Sequence, residues 1–418
     1  MILRAARGAA AILCFAGTLY SAAQAQLVQS RDDHSAATAA IELWFRVPSS
    51  GFDLKTPGIA RLALAAAAAS RPAGGSSLSE IVTRLGGSLS LEVYPDIAMV
   101  GASVPASSAS LVLDAMRAAY FNPGITAAGM KAAAADSAIE AAKQPFDSAR
   151  LLQDALFAQV FPAGPAHYAP IPDAGAFAGL SQIDVQAFAA RAFVQTNAIY
   201  SLAGNVGELL STRLAGPSPA LAHPPYDSTR TGAPGETTVS ARVAGLGLAW
   251  TGPAISDTRA ATAMDFIADY LFDPDRGVLS QSLRSQSDLF LSGQFVTLHD
   301  PGVLLVTLSG QNAAMFQQNV LTAVSALRQP LDANTFASAR QAFLYHILSQ
   351  TQTPVQRADN AGWYAAEGNA QYAPGDASGT YIEAVNSLDP AFVAQTARAY
   401  LRRPAIVHLM QSSAGAAT

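Results

Sequence analysis

The sequence predicts an α+β fold built twice: two homologous domains, each a mostly antiparallel sheet with helices packed on one face. The first observation behind this prediction is a repeat, because one order of segments occurs in both halves of the 418-residue chain at an offset of about 200 residues. The second is the hydrophobic pattern, in which short segments of alternating polarity lie between longer amphipathic ones. Such an arrangement is typical of sheets that are covered by helices.

Each half begins with a strand and a helix. Residues 41–48 and 246–253 alternate apolar side chains onto one face, as half-buried strands do. Thr56 and Pro57 precede a helix predicted over residues 58–69, and Asp257 precedes one over residues 260–272. A hydroxyl or carboxylate at the cap satisfies free backbone amides, and proline is tolerated in the first turn.

A β-hairpin, a second helix and a closing helix–strand unit follow in each half. Leu89 and Leu91 with residues 96–104, and Leu289 and Leu291 with residues 300–308, predict the two hairpins. The second helices are expected over residues 108–120 and 313–327. The closing units match over residues 191–202 and 398–409.

A stretch rich in Pro, Gly, Ser and Thr at residues 216–236 predicts an exposed linker. It divides the chain into an N-terminal domain at residues 26–215 and a C-terminal domain at residues 237–418.

The amino terminus predicts export. Arg4 and Arg7 precede an apolar run at residues 9–19 and a small-residue stretch that ends at Ala25, which is the pattern of a signal peptide at residues 1–25. We therefore expect a periplasmic or secreted protein. The single cysteine, Cys14, lies in that run, so the mature chain would have no thiol.

Composition excludes two classes of partner. A net charge of −5 with only three lysines offers no basic surface for nucleic acid. No later apolar stretch reaches the roughly 18 residues that a membrane span needs. Peptides or proteins are the expected partners.

Three segments carry a resemblance to a known family: Thr-Pro-Gly-Ile-Ala-Arg-Leu at residues 56–62, Leu-Gly-Gly-Ser-Leu-Ser at 85–90, and Ala-Gly-Asn-Val at 203–206. With the duplicated element order, the chain resembles the insulinase and mitochondrial processing peptidase (pitrilysin-type) zinc metallopeptidases over nearly its whole mature length. In that family two histidines of a His-x-x-Glu-His motif bind zinc and its glutamate activates water, while a later glutamate completes the metal site.

This sequence departs from that motif at every functional position. Arg61 stands at the first histidine, Leu64 at the catalytic glutamate and Ala65 at the second histidine. Glu140 falls near the distal ligand and is expected to be an ordinary solvent-exposed helix charge. No nucleophile or phosphate-loop motif replaces the lost site. We expect no catalytic residue, no metal ligand and no cofactor in this chain, which would then be inactive alone.

Two weaker candidates for peptide contact follow from the resemblance. Arg284 matches an arginine with which a noncatalytic family subunit holds its substrate, although Leu291 replaces the accompanying tyrosine. The alternative is an arginine that caps a helix end or extends its charged end from the sheet into solvent. Ser90, Leu91 and Glu92 lie on a strand that resembles the family's edge strand, to which peptides add through backbone hydrogen bonds. An ordinary core-facing strand would give the same pattern.

The resulting hypothesis is a noncatalytic subunit that shapes a peptide-binding chamber with a zinc-bearing sister chain, as a heterodimer. The alternative is a standalone peptide-binding or structural scaffold protein without peptidase activity. A third possibility, an active enzyme with an unrecognised site, needs catalytic groups assembled from distant residues.

Overall fold

The computed structural model describes residues 28–47, 56–121, 123–167, 172, 174–214, 222–224, 226, 231–370 and 379–412. The predicted signal peptide therefore lies outside the described residues. Among the described residues, no helix combines the length and the apolar character needed to cross a bilayer.

The first half holds five strands and six α-helices within the described residues. The strands are β1 (Val28–Asp32), β2 (Thr38–Arg46), β3 (Ser88–Val93), β4 (Ile97–Pro105) and β5 (Ala198–Gly204). The helices are α1 (Ile59–Ala69), α2 (Leu78–Arg84), α3 (Ala109–Phe121), α4 (Ala127–Lys143), α5 (Ser148–Val160) and α6 (Gln182–Ala192).

The second half repeats this order in the part of the chain that the structure describes. Its strands are β6 (Glu236–Ala241), β7 (Gly245–Thr251), β8 (Phe290–Val296), β9 (Val303–Ser309) and β10 (Ala405–Gln411). Its helices are α7 (Thr258–Phe272), α8 (Val278–Leu283), α9 (Gln317–Ala326), α10 (Ala333–Ser349), α11 (Pro354–Ala366), α12 (Thr380–Asn386) and α13 (Pro390–Tyr400).

The two sheets have the same topology. Their strand orders are β1-β5-β2-β4-β3 and β6-β10-β7-β9-β8. All neighbours are antiparallel except the outermost pairs, β1 with β5 and β6 with β10, which are parallel. The predicted α+β class is confirmed, and β3 and β8 each form a free edge of their sheet.

Local details correct several sequence predictions. Gly58, with φ 81°, is the N-cap residue of α1, so the helix starts two residues after Pro57. Asp257 caps α7 as predicted, accepting a hydrogen bond from the Ala260 amide. The helix predicted over residues 313–327 is a 3-10 turn at Ala313–Phe316 followed by α9. The C-terminal end of the predicted linker, Glu236, already belongs to β6.

Each sheet is covered on both faces, and one helix crosses over from the other half to do so. The helix α5 packs on β7, β9 and β10, while α11 packs on β1, β2 and β5. Buried residues of α5, including Leu152 and Leu156, join Leu305 and Val407 in one apolar cluster. Burial of such side chains contributes about 1.5–3 kcal/mol each, so the exchange ties the two halves together.

The contact between α11 and the first sheet is close because α11 presents small residues. Gly362 lies so near Trp44 of β2 that an added Cβ would be 2.0 Å from the indole nitrogen. That nitrogen donates a 2.8 Å hydrogen bond to Glu42 Oε2, and Glu42 is only 2% exposed. Burial raises the pKa of Glu42 well above its ordinary value, and the neighbouring Asp359 of α11 raises it further.

Candidate functional site

Arg61 and Glu140, which are 79 positions apart in sequence, meet where α1 packs against α4. Arg61 Nη2 lies 2.5 Å from Glu140 Oε2. Its Nη1 donates to the backbone carbonyl of Leu91 on β3. The guanidinium therefore joins two helices to the edge of the sheet through charge-assisted hydrogen bonds.

Glu140 is a helix charge on α4 with a 40% exposed side chain, and the sequence did not indicate that it forms this ion pair. The arginine is the more shielded partner, at 16% exposure. A half-exposed pair of this kind contributes little net stability, commonly below about 1 kcal/mol. Its effect is mainly geometric, since it fixes a positive charge between α1, α4 and β3.

The remaining motif positions lie on the same helix but cannot bind metal. Leu64 is completely buried in the core, and its carbonyl accepts a 3.0 Å hydrogen bond from the Tyr120 hydroxyl. Ala65 is partly buried against the same core. With a guanidinium, a leucine and an alanine around one carboxylate, these positions do not fit the zinc ion that the resemblance would place here.

The edge strand β3 is partly closed to an added strand. The Tyr94 amide donates a hydrogen bond to the Ile97 carbonyl across the hairpin, so the backbone groups of Tyr94 face β4. Because successive residues of an antiparallel pair face the partner strand alternately, the Leu91 carbonyl points away from β4. Arg61 takes up that outward carbonyl. Desolvation raises the pKa of Glu92, and the charge of Arg61 opposes this shift, so the predicted residues Leu91 and Glu92 both lie in the field of Arg61. Ser90 is exposed, and its backbone amide and carbonyl face β4.

An opening lies in the second half, beside the edge strand β8. It is a cavity of about 760 Å³, bounded by α7, α10, α11 and β8, with one wall from the β3–β4 turn of the first half. Aromatic side chains and carboxylates share its surface. Among the lining residues are Tyr94, Phe272, Phe295, Trp363, Asp265, Asp269 and Asp273.

The carboxylates of this cavity are shielded and hydrogen-bonded. Tyr381 donates a 2.8 Å hydrogen bond to Asp265, and burial raises the pKa of Asp265 to about 7. One turn further along α7, Asp269 and Asp273 both contact the imidazole of His346 on α10. The cavity is thus apolar on one side and acidic on the other.

None of the four predicted peptide-contact residues lines this cavity. Arg284 is exposed and is the C-cap residue of α8. Ser90, Leu91 and Glu92 lie on β3. The cluster of Asp269, Asp273 and His346 was missed from the sequence, where the i,i+4 spacing of the aspartates on one helix face is the only local signal.

No protein-family model matches the sequence, and no curated protein sequence is similar to it. Solved structures do match the fold. A protease from Helicobacter pylori superposes with a TM-score of 0.78 at 15% identity, covering 92% of this chain and 97% of that one. A peptidase M16 inactive domain from Pseudomonas fluorescens gives a TM-score of 0.76 at 16% identity, covering 92% of this chain and 96% of that one.

The chain has the two-domain fold of the M16 peptidases. The resemblance to the insulinase family drawn from sequence is supported at the level of the fold. A further match is a chain from complex III2 of Candida albicans, with a TM-score of 0.72 at 12% identity over 91% of this chain and 93% of that one. Chains of this fold thus occur both in a protease and in complex III2.

Proposed function

We propose that this chain is the noncatalytic subunit of an exported insulinase-type peptidase, shaping a peptide-binding chamber with a zinc-bearing partner chain. The observation that carries the proposal is the ion pair between Arg61 and Glu140. A fixed guanidinium stands where the family resemblance places the first metal ligand. The water-activating position holds Leu64, a completely buried side chain that has no group able to accept a proton.

Within the described residues, both five-stranded sheets and their covering helices are present around these lost positions, which favours a retained binding role. Both sheets keep a free edge strand, and an extended peptide can add to such an edge by backbone hydrogen bonds. Because Arg61 already uses the Leu91 carbonyl on β3, we place the main peptide contact at β8. The residues Gly293–Thr297 of this edge line the cavity of about 760 Å³.

The proposal is tested by purifying the chain, its zinc-bearing sister and the mixture of the two. The expected results are co-elution of the two chains and peptide cleavage that is several-fold faster in the mixture than with the sister alone. The chain alone should cleave nothing. A sister that cleaves fully by itself and does not co-elute would refute the proposal.

A matched variant separates assistance by the chamber from simple stabilisation of the sister. Replacing Leu291 on β8 by proline removes a backbone donor from the edge strand. This variant should still co-elute with the sister while accelerating cleavage less. Leu91→Pro on β3 is the matched change, because each leucine packs partly buried against the core of its own half, and it should have the smaller effect if peptides add at β8.

A standalone scaffold is the second candidate, and one observation favours it. A chain from complex III2 has the same fold, so this architecture also occurs in a multi-chain complex. Under this alternative the protein would copurify with partners other than a peptidase, and no neighbouring reading frame would encode His-x-x-Glu-His. Pull-down of the exported chain, followed by identification of what copurifies, discriminates the two.

A further inference from the structure

Three side chains converge at the C-terminal end of α7, on the wall of the cavity in the second half. His346 Nδ1 lies 2.8 Å from Asp269 Oδ1, and His346 Nε2 lies 3.0 Å from Asp273 Oδ2. One donor atom from each residue lies within 4.8 Å of the other two. From this geometry we propose that Asp269, Asp273 and His346 form a binding site for a divalent transition-metal ion such as Zn²⁺.

The charges of the three groups call for a cation. Their side chains are only 22% (His346), 19% (Asp269) and 8% (Asp273) exposed, so water screens the two carboxylates poorly. The C-terminal end of the 15-residue helix α7 adds the partial negative charge of its terminal carbonyl groups. The imidazole can contribute one positive charge at most, whereas a divalent ion would contribute two.

The distances suit a metal with little rearrangement. Two donor atoms bound to one tetrahedral zinc ion at about 2.0–2.1 Å lie about 3.3 Å apart. The separation of 3.0 Å between His346 Nε2 and Asp273 Oδ2 therefore has to widen by only a few tenths of an ångström. Imidazole nitrogen with carboxylate oxygen is a ligand set that favours zinc and its neighbours over Mg²⁺ or Ca²⁺.

Surrounding groups already orient the two atoms that would bind the ion directly, His346 Nε2 and Asp273 Oδ2. Asp269 holds the opposite nitrogen of the His346 ring, which is the carboxylate–histidine–metal arrangement of many zinc sites. The amides of Asp275 and Arg276 donate to Asp273 Oδ1 and leave Oδ2 facing His346. The adjoining cavity gives an ion access from solvent and room for the waters that complete its coordination.

The site does not coincide with the lost motif of the first half. That motif lies on α1 beside α4, whereas these three residues lie on α7 and α10 in the second half. Metal here would be held by groups from α7 and α10 rather than by residues 61, 65 and 140. The proposal therefore stands whether or not a sister peptidase exists.

The test is titration of the purified, metal-free chain with Zn²⁺, followed calorimetrically and by metal analysis after gel filtration. One ion per chain is expected. Asp273→Asn should weaken binding at least about tenfold, and its retained Oδ1 can still accept the amides of Asp275 and Arg276. Asp275→Asn is the matched control, because this neighbouring carboxylate lines the same cavity without contacting His346, and it should bind like the parent.

Either of two results would overturn the proposal. One is a parent chain that binds no zinc; the other is equal weakening by the substitutions at Asp273 and Asp275, which would indicate only a diffuse acidic surface. Should Asp273→Asn fold poorly by circular dichroism, His346→Gln serves as the second variant. Unaltered zinc affinity in a folded His346→Gln protein would equally refute the site.

Discussion

Replacing Gly362 by alanine is expected to destabilise the protein by loosening the contact between α11 and the first sheet. The new Cβ would lie 2.0 Å from Trp44 Nε1 and 2.5 Å from Cε2. Ordinary contact begins near 3.4 Å, so the helix or the indole must move by about 1.4 Å. Overpacking of a close-packed core costs about 1–3 kcal/mol.

A second contribution comes from the hydrogen bond that the displaced indole makes. Trp44 donates to Glu42, which is nearly inaccessible to water, so loss of the bond would leave buried polar groups unpaired at about 1–3 kcal/mol. The intrinsic preference of helices for alanine over glycine returns about 1 kcal/mol. The net loss in the free energy of unfolding should be about 1–5 kcal/mol.

Urea denaturation monitored by tryptophan fluorescence measures this change. Gly124→Ala provides the matched control, since a Cβ at Gly124 meets nothing within 4 Å, and it should alter stability by less than about 0.5 kcal/mol. A Gly362→Ala protein as stable as the parent would show that α11 does not pack on Trp44 at this distance.

Two further predictions concern the ion pair and the buried acid. Changing Arg61 and Ala65 together to histidine places two imidazoles at i,i+4 facing Glu140, and metal analysis should show one more bound zinc ion than in the parent. Adding Glu140→Gln should weaken zinc binding at that extra site at least about tenfold. Equal zinc binding with and without Glu140→Gln would contradict the assigned geometry. The pKa of Glu42 is raised by burial and by Asp359. The native state therefore keeps a proton on Glu42 that the unfolded state releases above about pH 4.3. As a result, the contribution of Glu42 to stability is lost as the pH rises from about 4.3 through the pKa of the folded state. Glu42→Gln should therefore lose less stability between pH 5 and pH 8 than the parent in urea titrations, and an identical loss would count against this origin of the pH dependence.

The repeated elements could be predicted because their sequence patterns are local. The strands β2 and β7 have regularly spaced apolar residues, and α7 starts at a carboxylate cap, so period and capping were enough to place them. The prediction that these strands are half-buried is wrong, because consecutive residues of both are buried under helices on either face of the sheet. The crossed helix α11 was not predicted. Apart from Tyr364, its buried residues are small, namely Ala358, Ala361, Gly362, Ala365 and Ala366, and small residues of this kind indicate close packing only once the partner surface is known.

The candidate sites show the same limit. The resemblance located Arg61 and Glu140, yet their ion pair follows only from the packing of α1 on α4. The signal available in the sequence was the opposite charge of Arg61 and Glu140, at two positions that the family resemblance places at one metal site. His346 and Asp269 are 77 positions apart, and no periodicity within either helix indicates that they meet.

The crossed helices also determine when folding can finish during synthesis. Arg46 at the end of β2 donates a 3.2 Å hydrogen bond to the Ala366 carbonyl, 320 positions later. The helix α11 also covers Trp44, and its Ala358 carbonyl accepts a hydrogen bond from Ser201, 157 positions earlier. A nascent chain that has completed its first sheet must keep one apolar face uncovered until the last quarter of the polypeptide emerges. Such a chain would depend on holding chaperones for longer than two separable domains would, and cutting its gene between the halves should yield fragments that are soluble only when they are produced together.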